Sequence, residues 1–477
     1  MGATQDIETS VPVREGEYGS RVMAIEPGGI EYIPERERHG RALDLFWTWM
    51  SPNMEFATIF VGFLPIAFFG MGFWDAALAI ILGTALGSIT HAVLSSWGPK
   101  FGVPQMVQSR GAFGFLGNIL PAGLNAVTAG LGWFIVNSVS GAFALASLLN
   151  LDFRITFVVI VAAQVLVAFL GHNLVHRFER YAFPYLVIVF GIACVILFSK
   201  AHFDHAIDPK AQGPLGEFGA FTLTATAAFG YAVGWNPYAS DYTRYLPREI
   251  NRRMVGLAAG LGVFISCVLL ELAGAAAMTI APLGANPTDG FTGPLNNTLL
   301  RDLVLVGIAL GAVAANVLNI YSSSMSFLTL GIQLSMKQRR AIVALTSGVL
   351  ALAIGLAAGV NVAPGTKYES FLLLISYWIA PFLAIVITDY AMRGGVFDER
   401  WFFDSGRRPW RGVVAMALAL LISVPFWNVS GLYVGPIPTS NPGVGDLTFL
   451  VGFVAAAVLY WGLNRGRAPV ETAEVAA

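Results

Sequence analysis

Residues 49–55 read WMSPNME and interrupt an apolar stretch that runs from about residue 45 to residue 69. Pro52 has no backbone N–H, and its ring clashes with the preceding helical turn, so carbonyl groups are freed in the middle of the stretch. Two interpretations fit: a proline kink in which Asn53 satisfies the free carbonyls, or a broken helix that borders a binding site. Glu55 favours the second, because a carboxylate at that depth is costly unless it is paired or protonatable.

The composition is that of a membrane protein. The chain has 477 residues, of which 56% are hydrophobic and 12% charged, whereas soluble domains carry roughly a quarter charged residues. Twelve apolar stretches are long enough to cross about 30 Å of hydrocarbon, and they are named spans 1 to 12 in chain order. They are 45–69, 74–96, 115–149, 154–171, 181–199, 218–236, 254–283, 302–331, 341–363, 368–391, 412–428 and 447–464. The pattern predicts an all-α membrane fold of about 12 transmembrane helices, with spans 3 and 8 tilted or extending past the membrane surface.

The domain organisation follows from the short connections between spans. We expect a single transmembrane domain over 45–464, with polar tails at 1–44 and 465–477. When both termini are placed in the cytoplasm, 23 of the 28 Lys and Arg residues fall on the cytoplasmic side, which agrees with the positive-inside rule. The sequence thus predicts a multi-pass protein of the cell membrane, surrounded by the lipid bilayer, with both tails cytoplasmic. A net charge of −1 implies no nucleic-acid partner, and the oligomeric state stays open.

Polar residues inside apolar spans usually face the protein interior, which makes them candidate functional residues. In span 3, Trp133 and Asn137 are four residues apart and so share one helix face. An indole beside an amide suits a flat heteroaromatic solute, although packing between helices is the alternative. Span 8 places two further amides, Asn316 and Asn319, deep in a long apolar stretch.

Two other spans carry candidates. Span 6 ends with GYAVGWNP at residues 230–237, where two glycines and a proline surround Trp235. This pattern indicates either a discontinuous helix near a site or an indole in the interfacial aromatic belt. Glu271 is an isolated carboxylate in span 7, and it could carry a proton or form a hydrogen bond between helices as a neutral acid.

The sequence offers no sign of an enzyme or of a metal site. It contains no phosphate-binding loop, zinc-protease motif or nucleophile elbow. Cys194 and Cys267 both lie in apolar runs, which argues against a disulfide framework or a cysteine metal site. We therefore expect no catalytic residue, no metal and no cofactor other than a coupling ion.

Four motifs carry a resemblance to a known family. They are WMSPN at 49–53, GPKFGVPQM at 98–106 followed by Ser109 and Arg110, GW at 132–133 with Asn137, and WNPYASDYTRYLP at 235–247. With these motifs the chain resembles the nucleobase:cation symporter-1 transporters, and among them the purine-cytosine permease branch. The resemblance implies the leucine-transporter fold, with inverted five-helix repeats at about 45–199 and 218–391 and two extra helices at about 412–464.

The resemblance also implies roles for individual residues. Trp133 would stack on the substrate, Asn137 would hydrogen-bond it, and Asn316 would contact another edge of the base. Trp235 matches the motif of span 6, with Tyr231 as the alternative stacking ring. Ser51 is a further candidate from its place in the first motif, and Asn319 from its depth in span 8.

The chain departs from the sodium-coupled members of this family in one stretch. Those members have hydroxyl side chains in span 8, one to two turns before the Asn, whereas residues 307–311 read GIALG here. Because sodium needs several oxygen ligands, we expect proton coupling, with Glu55 or Glu271 as the proton carrier. The expected function is proton symport of a purine or cytosine-type nucleobase into the cell by alternating access. A carrier of allantoin, hydantoin, uracil or a vitamin precursor, coupled to protons or to sodium, is the alternative. A multi-pass membrane enzyme is a weaker one.

Overall fold

The computed structural model describes residues 10–15, 29–169, 172–284, 286–332, 336–358 and 366–466. Of the polar tails predicted at 1–44 and 465–477, residues 1–9, 16–28 and 467–477 lie outside the described residues. Within these residues, every predicted span contains helix. The helices of spans 1 to 6 are Ala42–Met50 with Phe56–Phe63, Phe73–Ser95, Ile119–Val127 with Phe134–Leu149, Phe153–Phe169, His172–Lys200 and Gly216–Val233; those of spans 7 to 12 are Arg252–Ile280, Thr298–Thr329, Met336–Ala358, Thr366–Met392, Trp410–Ser423 and Thr448–Asn464.

Length and apolarity identify the helices that could cross a membrane. Six described helices are long and apolar enough, and the bent helix pair of span 1 makes a seventh. Spans 4, 9, 11 and 12 contain shorter apolar helical segments of 10–17 residues. They are Phe153–Leu166, Leu345–Leu356, Trp410–Phe426 and Thr448–Asn464. The architecture is thus an all-α membrane fold, while the number of twelve spans stays a prediction.

Span 1 is broken where the sequence predicts it. The segments Ala42–Asn53 and Phe56–Phe68 meet at an angle of 66°. The break lies between Ser51–Asn53, which forms a 3₁₀ turn, and the helix Phe56–Phe63, whose N-cap is Glu55. The Glu55 side chain accepts a hydrogen bond of 2.9 Å from the backbone N–H of Ala57, so it satisfies one of the donors that a helix N-terminus leaves free.

Span 6 is also discontinuous, as its glycines and proline indicate. Its helix ends at Val233. A 3₁₀ turn over Asn236–Tyr238 follows, and then a short helix over Ala239–Thr243. Pro237 lies in the first turn of this 3₁₀ segment, where a missing N–H has no cost.

Three regions contain structure that the sequence pattern does not predict. Span 3 changes to π-helix over Thr128–Trp133 before continuing as Phe134–Leu149. The connection between spans 2 and 3 forms three short helices, Gly98–Phe101, Gln105–Gln108 and Arg110–Gly117. A two-stranded antiparallel pair, Asn428–Val429 with Tyr433–Val434, connects spans 11 and 12.

Two groups of helices pack around the breaks of spans 1 and 6. Spans 1, 2, 6 and 7 pack against one another, and span 8 packs along span 3 and against the turn Ser51–Asn53. Glycines allow some of these contacts: a Cβ at Gly62 would lie 1.7 Å from the carbonyl oxygen of Glu271, and one at Gly83 would lie 2.2 Å from that of Ala225. Backbones approach closely at such small residues, which brings span 1 against span 7 and span 2 against span 6.

Candidate functional site

The two breaks are joined by a hydrogen bond between side chains. The amide of Asn53 donates to the carbonyl oxygen of Trp49 at 2.7 Å, and its oxygen accepts from the indole N–H of Trp235 at 2.8 Å. Asn53 thus satisfies a carbonyl that the proline break frees, as the kink interpretation expects. The indole of Trp235 holds span 6 to span 1, so its N–H is already used within the protein.

Glu55 lies beside this junction and belongs to a second group of hydrogen bonds. The hydroxyl of Tyr231 donates to Glu55 Oε1 at 3.2 Å and lies 2.5 Å from Thr58 Oγ1. The Thr58 hydroxyl in turn donates to the carbonyl oxygen of Asn53 at 2.6 Å. Glu55 is 1% exposed, and its carboxylate forms no ion pair within the described residues. A buried carboxylate without a cation is costly in its charged form, and Glu55 offsets part of that cost by accepting from the Ala57 N–H and the Tyr231 hydroxyl.

Aromatic rings form one wall of the site. The ring of Trp133 meets that of Tyr231 edge-on, with centroids 5.4 Å apart, and that of Phe371 in the same way at 5.1 Å. The indole also lies against the backbone of Gly234, where a Cβ would come within 2.9 Å of the ring. Tyr231 therefore contacts Trp133 and Glu55 together, whereas Trp235 makes ring contacts with Trp49 and Tyr238.

Amide side chains of spans 3 and 8 form a second group, which begins at Asn137, one helical turn from Trp133. Asn316 Oδ1 accepts from the amides of Asn137 and Asn319 at 3.0 and 3.2 Å, and Asn316 Nδ2 donates to the carbonyl oxygen of Phe134 at 2.9 Å. Ser138 extends the group by donating to Gln164 Oε1 at 2.7 Å. Spans 3, 4 and 8 are thereby joined by amide and hydroxyl groups, and Asn316 has partners for both ends of its side chain.

Three buried oxygens near these groups have no hydrogen-bond partner among the described residues. They are Asn137 Oδ1, Asn319 Oδ1 and Ser51 Oγ, and each residue is at most 1% exposed. Buried polar atoms are nearly always paired in folded proteins. Unpaired oxygens next to an aromatic wall are therefore available to a ligand that donates hydrogen bonds.

Glu271 is not part of this constellation. It is fully buried in span 7, and its Oε2 accepts from the Thr84 hydroxyl of span 2 at 2.7 Å. Its contact matches the interpretation of a hydrogen bond between helices. The structure thus brings Glu55 to the predicted site residues and places Glu271 against span 2.

The stretch 307–311 meets the break of span 1 directly. A Cβ at Gly311 would lie 2.3 Å from the Met54 carbonyl oxygen and 2.8 Å from Glu55 Cβ. Span 8 therefore approaches the break through bare backbone, and it places no side-chain oxygen at this contact. Within the part of the chain that the structure describes, no group of three or more His, Cys, Asp or Glu residues could hold a metal ion.

One end of the bundle, called here the tail-side end, is covered by residues 29–41. The Arg244 guanidinium donates to the Gly29 carbonyl oxygen at 2.8 Å and to the Tyr321 hydroxyl at 3.1 Å. Arg38 donates to the Pro99 carbonyl oxygen at 2.7 Å. Between this cover and the site, Tyr242 makes ring contacts with Trp49 and Tyr321. These contacts hold residues 29–41 over this end of the bundle.

The sequence pattern misses several residues of this site. Phe371 gives no signal, since it is an apolar residue in an apolar span. Gln164 and Ser138 do carry one, because each is a polar residue within an apolar stretch, the same criterion that identifies Asn316. The part played by Thr58 depends on the bend of span 1, which brings its hydroxyl to Tyr231.

Comparison with known proteins identifies the family. Residues 32–452 match the family model described as permease for cytosine/purines, uracil, thiamine, allantoin. The chain is 31% identical over 470 residues to the purine-cytosine permease fcyB of Emericella nidulans, covering 92% of this chain and 88% of that protein.

Solved structures agree on the fold. The inward-facing structure of Mhp1 matches with a TM-score of 0.70 and 18% identity over 94% of each chain. A closed structure of Mhp1, a nucleobase-cation-symport-1 family transporter with bromovinylhydantoin bound, matches with a TM-score of 0.67 and 18% identity, covering 89% of this chain and 92% of that one. The chain therefore belongs to the nucleobase:cation symporter-1 family of transporters, within its purine-cytosine permease branch.

Proposed function

We propose that this protein imports a purine or cytosine-type nucleobase by proton symport. The observation that carries the proposal is that the ring of Trp133, which contacts Tyr231, lies one helical turn from Asn137, whose buried amide oxygen has no partner among the described residues. A nucleobase has a flat aromatic ring and N–H groups on its edge. The ring suits Trp133 and Tyr231, and the N–H groups suit Asn137 Oδ1 and Asn319 Oδ1.

The roles of the individual residues follow from their contacts. Trp133 and Tyr231 provide ring surfaces, and Asn137 and Asn319 accept hydrogen bonds from the base. Asn316 holds both of these amides in place, since its single oxygen accepts from each of them. Ser51 adds a hydroxyl at the break of span 1. Trp235 acts through Asn53, by fixing the two breaks relative to each other.

Proton coupling is proposed to depend on Glu55. Its carboxyl group is buried, has no cationic partner among the described residues, and shares a hydrogen bond with Tyr231 of the aromatic wall. Protonation of Glu55 would thus change its hydrogen bond with Tyr231, whose ring is proposed to contact the base. Glu271 is the second candidate, through its hydrogen bond with Thr84. The bare backbone at Gly311 supports a proton rather than sodium, since span 8 supplies no side-chain oxygen there.

Alternating access fits the breaks and the covered end. We propose that the tail-side end faces the cytoplasm, as the distribution of Lys and Arg predicts, with the protein in the cell membrane. The repeats at about 45–199 and 218–391 would then move relative to each other, and the contacts of Arg244 with Gly29 and Tyr321 would open to release the base. The family description also includes uracil, thiamine and allantoin, so these solutes form the comparison set.

The experiment is uptake by cells that lack their own nucleobase carriers and express this protein. Labelled cytosine, adenine, guanine and hypoxanthine are compared with uracil, allantoin and thiamine, each with and without a protonophore. The proposal expects uptake of at least one of the first four, and expects the protonophore to abolish its accumulation. Uptake that follows a sodium gradient and ignores the protonophore would refute proton coupling, and exclusive uptake of the last three would refute the substrate class.

A further inference from the structure

A groove at the tail-side end lies outside the transport site. It runs between the end of span 2 and the start of span 7, with Tyr390 of span 10 at its edge, and it encloses about 1460 Å³, including the part that opens to the surroundings. Ala92 and Gly256 both line the groove. Spans 2 and 7 touch there, because a Cβ at Gly256 would lie 2.6 Å from the Ala92 carbonyl oxygen.

The rim of the groove is basic. Arg252 and Arg253 line it and are exposed. Neither side chain forms an ion pair or a hydrogen bond with any other residue in the described part of the chain. The nearby charges are already engaged: Arg248 pairs with Glu399 at 3.6 Å, and Lys100 donates to the Gly395 carbonyl oxygen. Lys100 lies within electrostatic range of Arg252 and of Glu399, and no acidic residue is among the described residues that line the groove.

The surface below the rim is aliphatic. Leu257 and Leu261 of span 7 are 54% and 46% exposed, and Ile89 of span 2 is 60% exposed. With a rise of about 1.5 Å per residue, Leu257 and Leu261 lie about 7 and 13 Å from Arg252 along the helix. Trp97 and Tyr390 stack at the edge with centroids 4.4 Å apart, as aromatic residues do at the level of lipid headgroups.

We propose that this groove binds an anionic phospholipid of the membrane leaflet at the tail-side end. The phosphate would lie between Arg252 and Arg253, which match its charge, and the acyl chains would follow Leu257, Leu261 and Ile89. Basic pockets between helices at the cytoplasmic side are suited to such headgroups. A soluble anion would use only the rim, whereas the aliphatic surface continues to a depth that only a lipid reaches. The choice of leaflet depends on the orientation proposed above, but the binding itself does not.

The test is native mass spectrometry of the full-length protein in detergent that contains equal amounts of phosphatidylglycerol and phosphatidylcholine. The wild type is expected to retain phosphatidylglycerol preferentially. Replacing both arginines, R252Q/R253Q, should weaken its binding about 30-fold, since each basic residue near the membrane surface contributes about a factor of five. The charge-preserving variant R252K/R253K should keep most of the affinity.

The matched control is R154Q/K210Q, which removes two exposed positive charges from the opposite end and should leave retention unchanged. Thermal unfolding checks that each variant is folded, and the measurement needs no transported substrate. Equal retention of the two lipids by the wild type, unchanged retention in R252Q/R253Q, or equal loss in the control would overturn the proposal. Glycerol phosphate is added as a competitor, and full displacement of the lipid at matched concentration would show a site for free anions instead.

Discussion

Replacing Glu55 by Gln keeps the hydrogen bonds of this side chain but removes its ability to bind a proton, which is its proposed role in coupling. A glutamine can still accept from the Ala57 N–H with its oxygen. Its amide can donate to the Tyr231 hydroxyl, which then donates to Thr58, 2.5 Å away. Because the number of hydrogen bonds is preserved, the free energy of unfolding should change by no more than about 1 kcal/mol. The amide, however, cannot bind or release a proton in this range.

The expected effect on transport is large. One proton moving down a membrane potential of about 100 mV supplies roughly 2.3 kcal/mol, and this corresponds to about 50-fold accumulation of a substrate moved with it. Glu55→Gln should reduce accumulation to the level of equilibration, while the base still crosses down its own concentration gradient. The structure leads to this expectation because Glu55 is the carboxylate that contacts the aromatic wall through Tyr231.

The assay uses proteoliposomes loaded with buffer, with an imposed proton gradient and a labelled nucleobase outside. Glu271→Gln is the matched control, since it makes the same change at a buried carboxylate that contacts Thr84 rather than the site; it should retain accumulation. If Glu55→Gln still accumulates substrate under the gradient, the assignment is wrong. If Glu271→Gln alone abolishes accumulation, the proton is carried there instead.

Three further changes test the structural contacts. Gly311→Ser places a side chain against the Met54 carbonyl oxygen, where even a Cβ would lie at 2.3 Å; thermal unfolding should show a loss of about 1–3 kcal/mol. Trp235→Phe removes the N–H that donates to Asn53, and leaving that buried oxygen unpaired should cost about 1–3 kcal/mol in the same assay. Arg244→Ala removes the contact with the Gly29 carbonyl oxygen, and hydrogen exchange of the segment that begins at Gly29 should accelerate.

Each of these changes has a control or an outcome that contradicts it. Gly191→Ala changes a helical glycine with no atom within 4 Å of the added Cβ, and it should leave the unfolding midpoint unchanged or slightly raised. A Gly311→Ser variant as stable as Gly191→Ala would contradict the close contact of spans 1 and 8. Trp410→Phe changes an indole that is 58% exposed and should cost little. Unaltered exchange in Arg244→Ala would show that the segment is held by other contacts.

The locations of the helices could be predicted because a membrane-crossing helix needs about twenty apolar residues, which hydropathy detects directly. The break in span 1 could be predicted because Pro52 removes a donor at a known position. Its angle of 66° could not, since the angle depends on contacts with spans 7 and 8. These contacts form at Gly62 and Gly311, whose neighbours are remote in sequence.

The site was predictable in part for a similar reason. Asn137, Asn316 and Glu55 stand out as polar residues at membrane depth, and the structure brings them near Trp133 and Tyr231. The contact of the Glu271 side chain with Thr84 could not be predicted from the sequence, because it depends on how span 7 is rotated against span 2. The hydrogen bond from Trp235 to Asn53 forms because the breaks of spans 1 and 6 lie side by side. A local sequence pattern cannot predict this contact, since the two residues are remote in the chain.

Short helices were the other element that the sequence did not predict. Gly98–Phe101 and Gln105–Gln108 contain four residues each, which is too few to show a helical period. Helices of this length depend on tertiary contacts rather than on their own propensity. Here the contacts come from distant residues, such as Arg38 on the Pro99 carbonyl oxygen and Asp241 on the Gln105 N–H. The π-helical turn before Trp133 likewise lacks a proline that would signal it.

Equilibrium binding of labelled cytosine and adenine to the purified protein tests the central claim most directly. Trp133→Ala removes the ring surface, and Asn137→Ala removes an oxygen that has no partner within the described residues. Each change should weaken binding of the transported base about 5- to 30-fold, because a ring contact or a hydrogen bond of this kind contributes about 1–2 kcal/mol. Folded variants that bind both bases with the affinity of the wild type would contradict the proposed site.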